Sequence, residues 1–197
     1  MKERKLTVSI VWANIFSLFV LAATAIPTAA IWYAVWGETS IVPSPDHRLA
    51  DAELTAWVWH EVMKFGIFAV AVIGGVFVHE FVHGLTWACY TKNGWKSISF
   101  GFMWKMLTPY CHCSEPLKVR PYIIGALMPL VVVGIIPLII GLCIGSFFTT
   151  FFGVFYVCGA AGDILIAWKL RHEPAENTVL DHPTECGCII YEEEGII

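Results

Sequence analysis

Residues 65–90 read FGIFAVAVIGGVFVHEFVHGLTWACY, and this stretch decides both the fold class and the chemistry that we expect. It is apolar and long enough to cross a bilayer as one helix, which takes about 20 residues. Inside it lies His79-Glu80-Phe81-Val82-His83, so three ionisable side chains fall within an apolar helix. Because such side chains are costly in a membrane, their cluster predicts a functional site.

The composition of the whole chain agrees with a membrane protein. Of the 197 residues, 57% are hydrophobic and only 14% are charged, and the mean hydropathy is +0.69. Charged residues alone account for about 25% of a typical soluble domain. The composition therefore excludes a disordered chain and a nucleic-acid binder, and the length favours a single integral membrane domain over residues 1–197.

Three more apolar stretches are long enough to span a bilayer, at about residues 6–36, 122–144 and 147–170. With 65–90 they predict an all-α membrane protein of four transmembrane helices, followed by a cytoplasmic tail over 171–197. The first stretch follows Lys2, Arg4 and Lys5, as a signal peptide would. Its apolar run exceeds the 7–15 residues usual for a signal peptide, so we expect an uncleaved helix.

The basic residues predict how the helices are oriented. All but Arg48 and Lys64 of the twelve lysines and arginines lie in the N-terminal segment, in the loop 92–120, or at the start of the tail at Lys169 and Arg171. Cytoplasmic loops carry an excess of positive charge. We therefore expect both termini and the loop 92–120 in the cytoplasm, which requires an even number of spans.

The histidines of the motif have the spacing of a zinc site. On a helix His79 and His83 are one turn apart and share a face, so both imidazoles can bind one ion. Glu80 lies beside the first histidine and is the candidate general base. Zinc lowers the pKa of a bound water toward 7, which allows a carboxylate to take its proton. The pattern predicts a zinc-dependent hydrolase.

A catalytic zinc needs a third protein ligand. Asp163 is the only acidic residue of the fourth apolar stretch. It lies seven residues before Leu170, and His83 lies about six before the end of the second stretch, so both are about 10 Å from the cytoplasmic ends of their helices. We therefore favour Asp163 as the third ligand, with His112 in the cytoplasmic loop as the alternative.

The cysteines offer a weaker metal-site hypothesis. Cys111, Cys113, Cys186 and Cys188 form two Cys-x-Cys pairs in segments expected in the cytoplasm, where thiols stay reduced. Structural zinc sites space their cysteines by two to four residues, so this spacing is a poor match. We expect free thiols.

The loop 92–120 contains one segment with the pattern of a strand. Residues 97–102 alternate polar or small side chains with Ile98, Phe100 and Phe102. The segment is therefore predicted to be a short amphipathic strand or loop at the cytoplasmic interface. Its edge can receive an extended peptide substrate, which makes the three apolar residues candidate substrate contacts. The alternative is a membrane-surface hairpin or re-entrant loop without a substrate role.

The His79-Glu80-x-x-His83-Gly84 pattern, the Gly125-x-x-x-Pro129 stretch and the Gly162-Asp163 pair resemble a family of mostly bacterial membrane proteins described as zincin peptidases. The layout is also similar to the core of the site-2 proteases, in which an aspartate on a later helix completes an intramembrane zinc site. The resemblance extends to the Asp181-His182-Pro183 segment. The intact Asn-x-x-Pro and Leu-Asp-Gly signature of the site-2 proteases is absent, because Asp163 precedes Ile164.

These observations predict a Zn²⁺-dependent metallopeptidase that hydrolyses peptide bonds within or beside a membrane. The resemblance implies the bacterial cytoplasmic membrane as its location. Its expected partners are the lipid bilayer and a membrane-protein or peptide substrate, and the sequence leaves its oligomeric state open. The alternative function is a non-catalytic zinc-binding scaffold or adaptor of the membrane.

Overall fold

The computed structural model describes residues 2–37, 51–104, 108–182 and 187–192. Over these residues the helices are α1 Ile10–Trp36, α2 Asp51–Ala88, α3 Val119–Pro129, α4 Ile136–Ile144, α5 Phe147–Gly159 and α6 Ala161–Leu170. The strands are β1 Lys2–Thr7, β2 Ile98–Met103, β3 Thr108–Cys113, β4 Leu117–Lys118, β5 Thr178–Asp181 and β6 Gly187–Glu192.

The first two helices differ from the predicted spans at their starts. α1 begins at Ile10 instead of Leu6, because residues 2–7 pair as a strand. It ends at Gly37, whose φ of 65° suits glycine and whose N–H donates to the carbonyl of Tyr33. α2 begins at Asp51, well before Phe65, and its 38 residues extend about 57 Å.

The third and fourth apolar stretches are helical but not straight. A π-helical segment, Leu130–Ile135, joins α3 to α4, whose second residue, Pro137, has no N–H to donate. The fourth stretch bends by 44° between α5 and α6. The predicted single span 147–170 is therefore two helices that meet at Ala160.

Three helical stretches of the described chain are long and apolar enough to cross a membrane: Val11–Trp36, Glu53–Ala88 and Val119–Ile144. The bent pair α5–α6 makes a fourth if it counts as one span. Large apolar side chains on α1 and α2 point outward, as Ile26 and Val70 do at 69% exposure each. Helices with such faces are compatible with a lipid environment.

An antiparallel sheet replaces the predicted tail. Its strand order is β1-β6-β5-β4, so residues of both terminal segments and of the loop before α3 pair at one end of the helices. The prediction of an all-α fold is therefore corrected to a mostly helical fold with a small sheet, which includes residues 178–181 and 187–192 of the predicted tail. Strand pairing between residues 2–7 and 187–192 is non-local, and local periodicity carries no sign of it.

The predicted amphipathic strand is present as β2, which pairs with β3 in a hairpin. The hairpin packs closely against α2 at Gly84. A Cβ atom on Gly84 would lie 2.8 Å from side-chain atoms of both Ile98 and Phe100, so a larger residue there requires these side chains to move. The carboxylate of Glu115 accepts hydrogen bonds from the N–H groups of Lys92 and Asn93, which fixes the turn before β2.

The main apolar core lies beneath the four-stranded sheet. Leu170, Val179 and Ile190 have no exposed surface, and Trp87 of α2 packs into the same cluster. The core therefore joins the end of α2, the start of α3, the end of α6 and the sheet. These are the elements that carry the histidine motif and the residues around it.

Candidate metal centre

His79 and His83 lie on one face of α2, in its last three turns. Their ring centroids are 4.9 Å apart and their planes are nearly perpendicular, at 77°. The helical spacing of four residues produces this arrangement directly. His83 is buried, at 5% exposure, and His79 lies one turn closer to the middle of the helix.

Asp163 is brought to the histidines by the bend between α5 and α6. It lies in the first turn of α6, where its Oδ2 is 3.2 Å from Nε2 of His79 and its Oδ1 is 3.6 Å from Nε2 of His83. One ligand atom of each residue lies within 4.8 Å of the other two. Two imidazole nitrogens and one carboxylate oxygen are a donor set found in catalytic zinc sites.

The hydrogen bond on the far side of His83 also fits a metal ligand. Nδ1 of His83 donates to the carbonyl oxygen of Gly125 over 2.9 Å. This bond places the proton on Nδ1 and leaves the lone pair of Nε2 directed at Asp163. Metal-binding histidines in proteins are usually held in this way by a backbone carbonyl or a carboxylate. The residues present therefore fit a zinc ion.

The position of that carbonyl depends on a close approach between α3 and α2. A Cβ atom on Gly125 would lie 2.0 Å from Nε1 of Trp87, so no larger residue fits without movement. The Trp87 ring lies nearly parallel to the His83 ring, with centroids 5.1 Å apart. Gly125 and Trp87 together fix the plane and direction of His83.

Glu80 lies between the metal cluster and an open cleft. Its Oε2 accepts a hydrogen bond of 2.8 Å from the N–H of Cys111 in β3. The cleft beside it has a volume of about 400 Å³ and is mostly apolar, with walls that include Phe77, Phe81, Phe100, Phe102 and Tyr110. A carboxylate in this place faces both the histidine cluster and a space that can admit an apolar chain.

The predicted substrate contacts divide into two groups. Phe100 and Phe102 line the cleft beside Glu80. Ile98 packs against α2 at Gly84 and borders the core instead. The alternative ligand His112 is not one of the described residues whose ligand atoms converge, His79, His83 and Asp163; its Nδ1 lies 3.9 Å from Oδ2 of Asp181 instead.

The cysteines of the alternative zinc site are free thiols where the structure describes them, at Cys111, Cys113 and Cys188; Cys186 lies outside the described residues. Burial raises the pKa of Cys113 to about 11 and that of Cys188 to about 12, so both stay protonated at neutral pH.

Sequence reasoning assigned no role to three groups around the site: the carbonyl of Gly125, the N–H of Cys111 and the buried carboxylate of Asp181. Asp181 accepts hydrogen bonds from the N–H of Cys113 and the hydroxyl of Tyr122. Backbone groups leave no trace in side-chain patterns. The partners of Asp181 are 68 and 59 residues away in sequence, so only the fold reveals them.

Comparison with known proteins places the chain in a family. Searches of curated proteins and of solved structures find no match. The family model described as "Putative zincin peptidase" matches residues 72–178, more than half of the chain. This range contains His79, Glu80, His83, Gly125 and Asp163. The chain belongs to this zincin peptidase family.

Proposed function

We propose that the protein is a zinc metallopeptidase embedded in a membrane, where it hydrolyses peptide bonds near the cytoplasmic leaflet. One observation carries the proposal: ligand atoms of His79, His83 and Asp163 converge within 4.8 Å, and Glu80 of the same helix borders an apolar cleft beside them. Family membership supports a metallopeptidase. The arrangement also resembles the site-2 proteases, in which a late aspartate completes the zinc site.

The metal-binding residues and Glu80 have separate roles in the proposed hydrolysis. The two histidines and Asp163 would hold a zinc ion, which would supply a Lewis acid for the scissile carbonyl and for water. Glu80 takes a proton from the water whose oxygen attacks the carbonyl carbon. Glu80 then gives that proton to the departing nitrogen as the C–N bond breaks, leaving a carboxylic acid and an amine. The N–H of Cys111 holds one oxygen of Glu80 and leaves the other for the proton.

The apolar helices and the charge pattern support the proposed location. Four helical stretches have the length and composition of spans, counting the bent pair α5–α6 as one. The sheet gathers Lys2, Arg4, Lys5 and Lys118 at the end of α2 that carries the zinc ligands. An excess of positive charge favours the cytoplasmic side. We therefore assign this end to the cytoplasmic face of the bacterial membrane.

The hairpin provides a route for an extended substrate. Within the described residues, neither edge of the β2–β3 hairpin pairs with a further strand. An extended peptide that lies along the cleft beside this hairpin has Phe100 and Phe102 for its apolar side chains and Glu80 within the same cleft. The substrate class that fits is an unwound apolar segment of a membrane protein.

Two isosteric substitutions test the proposal against the scaffold alternative. Glu80→Gln removes the base without removing a ligand, so zinc content stays at the wild-type level while peptide hydrolysis falls by about 10²–10⁴-fold. Asp163→Asn weakens zinc binding, because an amide is a poorer ligand than a carboxylate. Zinc is measured by elemental analysis and hydrolysis with membrane-peptide substrates in detergent or liposomes.

Glu61→Gln is the matched control, since it makes the same change on α2 remote from the motif, next to Lys64. We expect wild-type zinc content and activity from it. A Glu80→Gln variant as active as the wild type would refute the role of Glu80 as base. A wild type that binds zinc but cleaves none of the peptides would favour the scaffold.

A further inference from the structure

Asp181 is a buried carboxylate that the proposed chemistry does not use. It is the last residue of β5, it is 8% exposed, and it lies beyond the range matched by the family model. Each of its oxygens accepts one hydrogen bond, and Nδ1 of His112 lies 3.9 Å from Oδ2. Oδ2 accepts the N–H of Cys113 over 2.8 Å, and Oδ1 accepts the hydroxyl of Tyr122 over 2.5 Å.

The first partner belongs to the strand that holds Glu80. Cys111 and Cys113 are two residues apart on β3, and alternate residues of a strand direct their N–H groups the same way. The N–H of Cys111 binds Glu80 and that of Cys113 binds Asp181. Two carboxylates therefore hold the outer edge of β3 at neighbouring N–H groups. A movement of β3 that changes one of these two hydrogen bonds also changes the other.

The second partner leads to His83. The Tyr122 ring stacks on Trp87 with centroids 5.3 Å apart, and Trp87 stacks on His83 at 5.1 Å. The carbonyl of Tyr122 accepts the indole N–H of Trp87 over 3.2 Å. One turn further along the same helix, the carbonyl of Gly125 accepts Nδ1–H of His83. Tyr122 is therefore the residue of α3 through which Asp181 can fix that carbonyl.

We propose that Asp181 is a positioning residue that orients the side chains of the general base Glu80 and the metal ligand His83, by holding β3 and α3 with one carboxylate. The inference rests on the proposed function for the roles of Glu80 and His83. The sheet thereby contributes to the site, because its strand β5 carries the carboxylate that connects β3 to α3. Groups of this kind, one step behind the metal ligands, typically change metal affinity or activity by 10–100-fold when removed.

The two hydrogen bonds of Asp181 can be removed separately or together. Tyr122→Phe deletes only the hydroxyl and keeps the stacked ring, so it loosens the α3 connection alone. We expect zinc affinity, measured by chelator competition, to fall about 10–100-fold while amide exchange at Cys111 stays at the wild-type rate. Asp181→Ala removes both bonds. It lowers zinc affinity to a similar degree, accelerates exchange at Cys111, and lowers kcat with little change in KM.

Val179→Ala is the matched control for a loss of stability in the same strand. Val179 has no exposed surface and belongs to the core beneath the sheet, without a hydrogen-bonding side chain. We expect it to lower the Tm while zinc affinity, exchange at Cys111 and kcat keep their wild-type values. A purely structural Asp181 would give variants whose zinc affinity and kcat follow Tm in the same way as those of Val179→Ala.

Zinc affinity unchanged in Tyr122→Phe, or exchange at Cys111 unchanged in Asp181→Ala, would overturn the proposal. Because Tyr122→Phe preserves the packed ring, it tests whether the hydrogen bond between Tyr122 and Asp181 supports zinc binding, even if Asp181→Ala does not fold. Zinc affinity and amide exchange do not require turnover. If the wild type cleaves no peptide, but Tyr122→Phe lowers zinc affinity and Asp181→Ala accelerates amide exchange at Cys111, the proposed function fails and the positioning role of Asp181 stands.

Discussion

The outer faces of α1 and α2 and the core beneath the sheet contain the same kinds of apolar residue but bury them very differently. Ile26 and Phe19 of α1 are 69% and 68% exposed, whereas Ile190 and Val179 in the sheet have no exposed surface. Isoleucine occurs in both regions, at Ile26 and at Ile190. Composition therefore does not tell which apolar residues pack within the protein and which face its surroundings.

This difference in burial indicates which region makes the site rigid. The outer helical faces are exposed among the described residues, while the sheet end has a packed core of its own. Trp87 belongs to that core and stacks on His83, and Tyr122 of the same core stacks on Trp87. The candidate zinc ligands lie at the border between the two regions, supported from the packed side.

The largest effect is expected from a cavity in that core. Leu170 ends α6, the helix that carries Asp163, and it is fully buried. Leu170→Ala should lower the free energy of unfolding by about 2–5 kcal/mol, as large-to-small core substitutions do. Denaturant unfolding of the detergent-solubilised protein measures it. A loss as small as that of a surface substitution would mean that the sheet end is not the packed region.

A smaller but more local effect is expected from Gly125→Ala at the border of the two regions. The added methyl group overlaps Nε1 of Trp87, so α3 must move away from α2. Overpacking of this kind costs about 1–3 kcal/mol, and the carbonyl that supports His83 moves with the helix. We expect weaker zinc binding by chelator competition. Gly159→Ala, where a Cβ atom meets nothing within 4 Å, is the control that should bind zinc normally.

The smallest effect on stability is expected from cysteines placed at exposed positions of the two ends of the molecule. Glu3→Cys in β1 and Ala56→Cys near the start of α2 should each change the free energy of unfolding by no more than about 0.5 kcal/mol. On intact cells an impermeant thiol reagent should label position 56 and not position 3, relative to the parent protein. Labelling of position 3 alone would reverse the proposed orientation.

Much of the helical architecture could be predicted from the sequence because it is local. The apolar run 65–90 predicts a helix, and the spacing of His79 and His83 predicts their shared face. The depth of Asp163 was estimated from helical rise alone, and its carboxylate does lie 3.2 Å from His79. The bend at Ala160 was not predicted, because the apolar pattern continues through it.

The sheet could not be predicted because its partners are far apart in sequence. Lys2 pairs with Glu192, and Leu117 pairs with Val179. The basic residues of β1 indicated only a cytoplasmic tail, and β5 is four residues long. The hydrogen bonds of Asp181 follow from this sheet, so they were missed for the same reason. Local patterns locate the zinc motif, whereas non-local pairing locates what holds it in place.

Metal content tests the central claim most directly. We predict about one zinc per chain in the purified protein, bound through His79, His83 and Asp163 with an open position for water. The His79→Ala/His83→Ala double variant should contain none, while Glu80→Gln should keep the full amount. Zinc at the wild-type level in a folded double variant would contradict the assignment of the site.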